Sequence, residues 1–108
     1  MTQYSAGTVA VIFVSTRTNV DDTGYNQAAE AMGELAQQQP GYVGIDSTRG
    51  ADGLGITVSY WADEAAAKAW RDNAEHAAIR EAGRDRWYSW YDLHVATIGR
   101  SYDWTKPE

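Results

Sequence analysis

The chain has 108 residues, with 9 Lys+Arg against 15 Asp+Glu for a formal net charge of −6, and it contains no cysteine. That length holds one hydrophobic core and not two, since a chain of this size buries roughly two-thirds of its unfolded surface. The acidic balance argues against nucleic acid as the main partner, and the missing cysteines exclude disulfides, thiolate metal sites, Fe–S clusters and thiol nucleophiles.

Hydrophobic residues at 44% and charged residues at 22% are those of an ordinary globular protein. A single domain over residues 1–108 is expected, ordered from about residue 8 to about residue 102. Five Trp and seven Tyr stand beside a single Phe, so the aromatic set is dominated by rings with a polar handle. Such rings suit interfaces and ligand cavities, and equally a small core.

Met1–Gly7 reads as a lead-in. Thr8–Thr18 reads as a strand with Val9, Val11 and Phe13 on one face and Ala10, Ile12 and Val14 on the other. Its apolar run, Val9–Val14, is too short for a signal h-region or a membrane span, so a cytoplasmic location without a membrane partner is expected. Asp21, Asp22 and Thr23 offer caps for a helix carrying Tyr25, Ala28, Ala29, Met32, Leu35 and Ala36 at helical spacing, stopped by Pro40-Gly41.

Tyr42–Arg49 and Leu54–Trp61 read as strands joined through the turn Gly50-Ala51-Asp52-Gly53. In the second of these, Tyr60 and Trp61 point to opposite faces. An alanine-rich helix follows from about Glu64 to Ala82, capped near Asp63 and closed by Gly83, with Ala66, Trp70, Asn73 and Ala77 on one face. Trp87–Tyr102 reads as a long last strand with a bend at Ser89–Asp92 or Gly99, with Trp87, Tyr91, Leu93 and Val95 on one side and Tyr88, Trp90, His94, Ala96 and Ile98 on the other; Trp104–Glu108 is a tail.

The order β-α-β-β-α-β predicts an α+β, ferredoxin-like fold: a four-stranded antiparallel sheet with two helices on one face. Two helices leave the other face bare, although the first and last strands are apolar on both sides. A second copy is the economical cover, so a homodimer is expected.

Gln39-Pro40-Gly41-Tyr42, Gly53, Ile56-Thr57-Val58-Ser59-Tyr60-Trp61, Ala69-Trp70, Glu75-His76, Gly83-Arg84, Trp87-Tyr88 with Tyr91, and Val95-Ala96 follow one another in a series. Over roughly Val9–Tyr102 that series resembles the antibiotic biosynthesis monooxygenase family, small dimeric α+β barrel proteins. The resemblance implies the dimeric barrel, a cavity, and for some members oxidation of phenolic polyketides by O₂ without metal or organic cofactor. Another branch binds and degrades haem. Its pattern has two Trp nine positions apart, as Trp61 and Trp70 are, but its ligating His falls here on Arg80, and its strand-one Asn-Arg falls on Thr16-Arg17.

The resulting expectation is a cofactor-independent monooxygenase acting on an aromatic, phenolic or enolisable small molecule with O₂. The alternatives are a non-catalytic binder of a hydrophobic small molecule and a haem protein. His76 is the candidate general base, tuned by Asp72 or Glu75, with Asn73 beside it steadying an anion. Trp70, Tyr60, Trp61, Arg84 and Tyr88 are the candidate substrate-binding residues, and Arg84 also suits pairing with an acid. A pocket is expected between the second helix and the sheet, walled by Trp70 and rimmed by Asn73 and His76. Two scattered imidazoles, His76 and His94, give no metal-ligand spacing, so no metal site is expected.

Overall fold

A computed structural model describes residues 4–108, the side chain of Ala74 excepted. The first three positions of the lead-in expected over Met1–Gly7 lie outside the described residues. Along the chain come β1 (Val9–Arg17), α1 (Asp22–Gln37), β2 (Tyr42–Arg49), β3 (Leu54–Trp61), α2 (Glu64–Asp72), α3 (Ala74–Ala82), a π-helical turn (Gly83–Trp87) and β4 (Tyr88–Thr97). The strands form one antiparallel sheet in the order β2-β3-β1-β4. The ferredoxin-like α+β fold is therefore present, with its second helix divided in two.

Residues paired across strands share a face, so the register sorts the sheet. Val9 lies opposite Trp61 and Thr97, Val11 opposite Ser59 and Val95, Phe13 opposite Thr57 and Leu93, and Ser15 opposite Gly55 and Tyr91. This face takes the helices: Val9, Trp61, Ala36 of α1 and Ala67 and Trp70 of α2 form the core. Each buried indole removes on the order of 200 Å² from water, about 5 kcal/mol of transfer free energy. The other face carries Ala10, Ile12 and Val14 with Ile56, Val58 and Tyr60 on one flank and Asp92, His94 and Ala96 on the other. No helix covers it, and Leu54, Ile56 and Trp90 remain exposed.

The helix starts follow from their caps. Asp21 accepts from the Gly24 amide at 3.0 Å, and Asp63 accepts from the Ala66 amide at 2.8 Å. Between α1 and β2 the chain turns at Gly41, whose φ of +83° favours glycine, and a Cβ there would fall 2.5 Å from that of Ala66.

Three expectations need correction. The helix expected over Glu64–Ala82 breaks at Asn73, which has the extended-type angles φ −60° and ψ 129°. Gly83 caps α3 as expected, in the right-handed region with φ −61° and ψ −46°. Its lack of a side chain also serves packing, since a Cβ would lie 2.8 Å from the Tyr88 ring. The last strand begins at Tyr88 because Trp87 is drawn into the π-helical turn and buried edge-on against Tyr25. A bulge between Thr16 and Arg17 then shifts the register, pairing Arg17 with Tyr88 and Thr16 with Trp90. One extra residue reverses sidedness. Tyr88 accordingly lies on the helix-covered face against Phe13, Tyr25 and Tyr91, not with Trp90 and Ala96.

Candidate functional site

The break at Asn73 sets His76 against Trp70. The Asn73 amide N–H donates to the Trp70 carbonyl at 3.2 Å, closing α2. Its side-chain Oδ1 then accepts from the amides of Glu75 at 3.0 Å and His76 at 3.2 Å, opening α3. This turn brings His76 back over Trp70. The two rings stack with centroids 4.3 Å apart, and His76 Nδ1 lies 2.8 Å from the Trp70 carbonyl oxygen. On the far side Trp61 stacks on Trp70 at 5.7 Å. Trp61 is fully buried, donates from Nε1 to Ser59 Oγ at 3.0 Å, and takes Tyr42 edge-on at 5.8 Å.

The chemistry of His76 follows from that geometry. A carbonyl only accepts, so Nδ1 carries the proton in the bond to Trp70 and the neutral ring keeps its lone pair on Nε2. Burial pushes the His76 pKa below the usual imidazole range; the bond to the Trp70 carbonyl works against that shift and the Arg80 cation works with it. The expected tuning by Asp72 or Glu75 is replaced by these causes, because Asp72 pairs with Arg71 at 3.1 Å and Glu75 sits in the first turn of α3. Asn73 does not lie along a helix flank with His76; its oxygen is engaged by two backbone amides.

The remaining candidates separate. Tyr60 lies on the uncovered face, stacked on Tyr4 at 4.0 Å and donating to Asp46 at 3.1 Å. Burial, and then the bond to Asp46, raise its pKa. Arg84 pairs with Glu81 at 3.1 Å and donates to the Tyr91 hydroxyl at 2.6 Å. Tyr88 is half-buried on the helix side, and burial raises its pKa well above the ordinary phenol value, with Tyr25 adding to the shift and Arg49 and Arg17 opposing it. Trp70, His76, Trp61 and Tyr88 thus share one side of the sheet, Tyr60 is on the other, and Arg84 is exposed near Tyr91.

On the helix side, α3 packs on α1, α2 and the π-helical turn more than on the strands. As a result Leu93 and Val95 remain 51% and 55% exposed although they flank Phe13 and Val11 on the helix-bearing face. An apolar floor is left open there. The groove that touches Trp70, of about 280 Å³, lies on its other flank among Gln39, Pro40, Gly41, Asp63, Ala66 and Ala69, and does not include Asn73 or His76. A polar cleft of about 320 Å³ opens at the far end of β1, lined by Arg17, Tyr25 and Arg49 among others. Arg17, Tyr25 and Arg49 are not among the candidates the sequence offers. The alternation that sets Val9, Val11 and Phe13 on the helix-covered face also carries Ser15 and Arg17 to it, which is the signal that points to them.

Among the described residues no group of three or more His, Cys, Asp or Glu side chains could hold a metal ion. Arg80, at the position where the haem branch has its ligating His, donates to the Arg71 carbonyl at 3.2 Å. A guanidinium has no lone pair to offer iron. No helix is long and apolar enough to cross a membrane among the described residues.

Comparisons place this geometry among known proteins. YqjZ of Bacillus subtilis, an uncharacterized protein, is 50% identical over 91 residues, covering 84% of this chain and 79% of its own. SnoaB of Streptomyces nogalater, a cofactor-independent oxygenase, superposes with a TM-score of 0.74 at 17% identity, over 95% of this chain and 100% of its own. Rv0793 of Mycobacterium tuberculosis superposes with a TM-score of 0.72 at 16% identity, over 82% of this chain and 92% of its own. The family model for antibiotic biosynthesis monooxygenases matches residues 9–82, from the first residue of β1 to the last of α3, and the chain belongs to that family.

Proposed function

We propose that this protein is a cofactor-independent monooxygenase that oxidises a phenolic or enolisable aromatic small molecule with O₂, working as a homodimer joined through the uncovered sheet face. The observation that carries the reading is the geometry of His76: partly buried against Trp70, its Nδ1 2.8 Å from the Trp70 carbonyl, which in the neutral ring leaves the lone pair on Nε2 for a substrate proton. The family membership supports an oxygenase, and SnoaB supplies a structural relative that uses no cofactor.

The substrate lies on the apolar floor of Phe13, Leu93 and Val95, its ring system beside Trp70 and Tyr88. His76 Nε2 takes one proton of an activated CH₂, directly or from the O–H of its enol (phenol) tautomer, and becomes an imidazolium. The resulting anion, CH at that carbon, passes one electron to O₂, and the radical pair joins there as a carbon–oxygen bond. The imidazolium returns its proton to give the hydroperoxide, which loses water with the remaining C–H hydrogen to leave a carbonyl. One oxygen atom ends in the product and one in water, whose two hydrogens match the two lost from carbon. The protein contributes the base and the ring contacts; the substrate supplies the electrons. Asn73 positions His76 through the cap of α3.

Oxygen uptake with a reduced polycyclic phenol tests the reading. Replacing His76 with Ala is expected to lower turnover about 10²-fold, the usual scale for a lost general base. Equal rates in variant and parent would remove His76 from the mechanism. Stoichiometric binding of the phenol without oxygen uptake by either protein would replace the oxygenase with a non-catalytic binding protein.

A further inference from the structure

The cleft at the Arg17 end of β1 has no part in that reaction. Arg17 lies eight residues along the strand from Val9, about 26 Å at 3.3 Å per residue. Arg17 and Arg49 both enter the cleft from the sheet, and α1 supplies Asp22, Tyr25 and Asn26. The Arg17 guanidinium lies 3.9 Å from the Tyr25 ring centroid, donates to the Trp87 carbonyl at 2.8 Å, and meets Asp22 Oδ1 at 2.6 Å. Arg49 donates to the Ser15 carbonyl and hydroxyl at 3.2 and 2.8 Å, to the Gly53 carbonyl at 2.5 Å and to the Tyr25 hydroxyl at 3.3 Å.

The charges in this arrangement are unevenly held. The Arg17 side chain is 8% exposed, yet the carboxylate that neutralises it is 76% exposed. Asp22 reaches in from solvent with one oxygen on one nitrogen. A desolvated cation gains much from a counter-charge, while an exposed carboxylate loses little by returning to water. All four acceptors on Arg49 are neutral, and among the described residues no carboxylate comes within ion-pair distance of it. Asp52 also lines the cleft, but its Oδ1 is taken by the Leu54 amide at 3.1 Å in the β2–β3 turn. The first turn of α1 adds the positive end of a 16-residue helix. Two guanidinium groups therefore face a solvent-open cleft of about 320 Å³ whose ionic partner is a side chain free to leave.

We propose that this cleft binds a small carboxylate, which takes the place of Asp22 on Arg17. Its second oxygen meets the amide side chains of Asn26 and Asn19 that line the same cleft. Arg49, its two terminal nitrogens already engaged, contributes charge and holds the Tyr25 ring in place. No bond is made or broken.

Backbone amide shifts of the full chain, followed while sodium acetate replaces sodium chloride at fixed ionic strength, test the proposal. The expected result is saturable movement confined to residues 17–26 and 49–53. Asp22→Asn is expected to bind acetate about threefold more tightly, the weight of one exposed ion pair removed from competition. Drift without saturation, saturation at other amides, or an Asp22→Asn protein that binds no more tightly than its parent would each overturn it.

Discussion

Substituting Asn73 with Ala removes the two side-chain bonds that open α3 and leaves the amides of Glu75 and His76 to water. An Asn-to-Ala change at a helix start costs about 0.5–2 kcal/mol, and Asn73 is half-buried, which favours the middle of that range. Against the roughly 5–15 kcal/mol that a domain of this length holds, the variant stays folded. Its local consequence is larger. Ala favours helix at the one position where the chain is extended, so α2 and α3 are drawn into one continuous helix. That straightening carries His76 away from the Trp70 ring and carbonyl. Urea unfolding is expected to show a loss of about 1 kcal/mol, and the His76 pKa, read from ring-proton shifts, is expected to rise toward the ordinary 6.5 as burial is lost. Asn73→Ser restores the cap without the amide and is expected to restore both values. An Asn73→Ala protein with unchanged stability and unchanged His76 pKa would refute the positioning role, and normal titration with poor turnover in Asn73→Ser would place the amide on the substrate.

Because burial lowers the His76 pKa in the folded state, the unfolded chain binds the proton first as pH falls below 6.5. The contribution of this group to stability is therefore present above 6.5 and is lost as pH drops toward the folded pKa, and urea midpoints across pH 7 to 4 should lose that component in His76→Gln. Gly83→Ala sets a methyl 2.8 Å from the Tyr88 ring, at an expected cost of about 1–3 kcal/mol by thermal unfolding. Ile56→Lys places a charge on the uncovered sheet face, where light scattering is expected to show the parent as a dimer and the variant as a monomer at micromolar concentration.

The sheet was legible because its signal is local. β2 and β3 keep the bounds read from alternation and the Gly50–Gly53 turn, and β1 divides its residues between the two faces as period-two counting groups them. Counting could not find the bulge beside Arg17. A bulge inserts one residue, here Ser89, within the stretch where a bend is expected, and reverses the sidedness of what lies beyond it. Uninterrupted alternation therefore puts Tyr88 on the wrong face, and Trp87 reads as strand because a π-helical turn has no distinct composition.

The site was less legible because it depends on one contest that propensity misjudges. The alanines on either side of Asn73 favour a continuous helix, and an asparagine within such a run costs it only a few tenths of a kcal/mol. What breaks the run is tertiary. Trp70 anchors α2 in the core through Trp61, and the Trp70 carbonyl finds two donors, the Asn73 amide and His76 Nδ1, only when the chain turns back at residue 73. Once turned, α3 packs on α1 and the π-helical turn, and Leu93 and Val95 are left open on the face the helices were expected to cover. The neutral imidazole and the uncovered apolar floor both stem from that break. A continuous helix would stack its small alanine side chains down onto the strands and close the floor, at the cost of the ring stack and carbonyl bond that fix the imidazole tautomer.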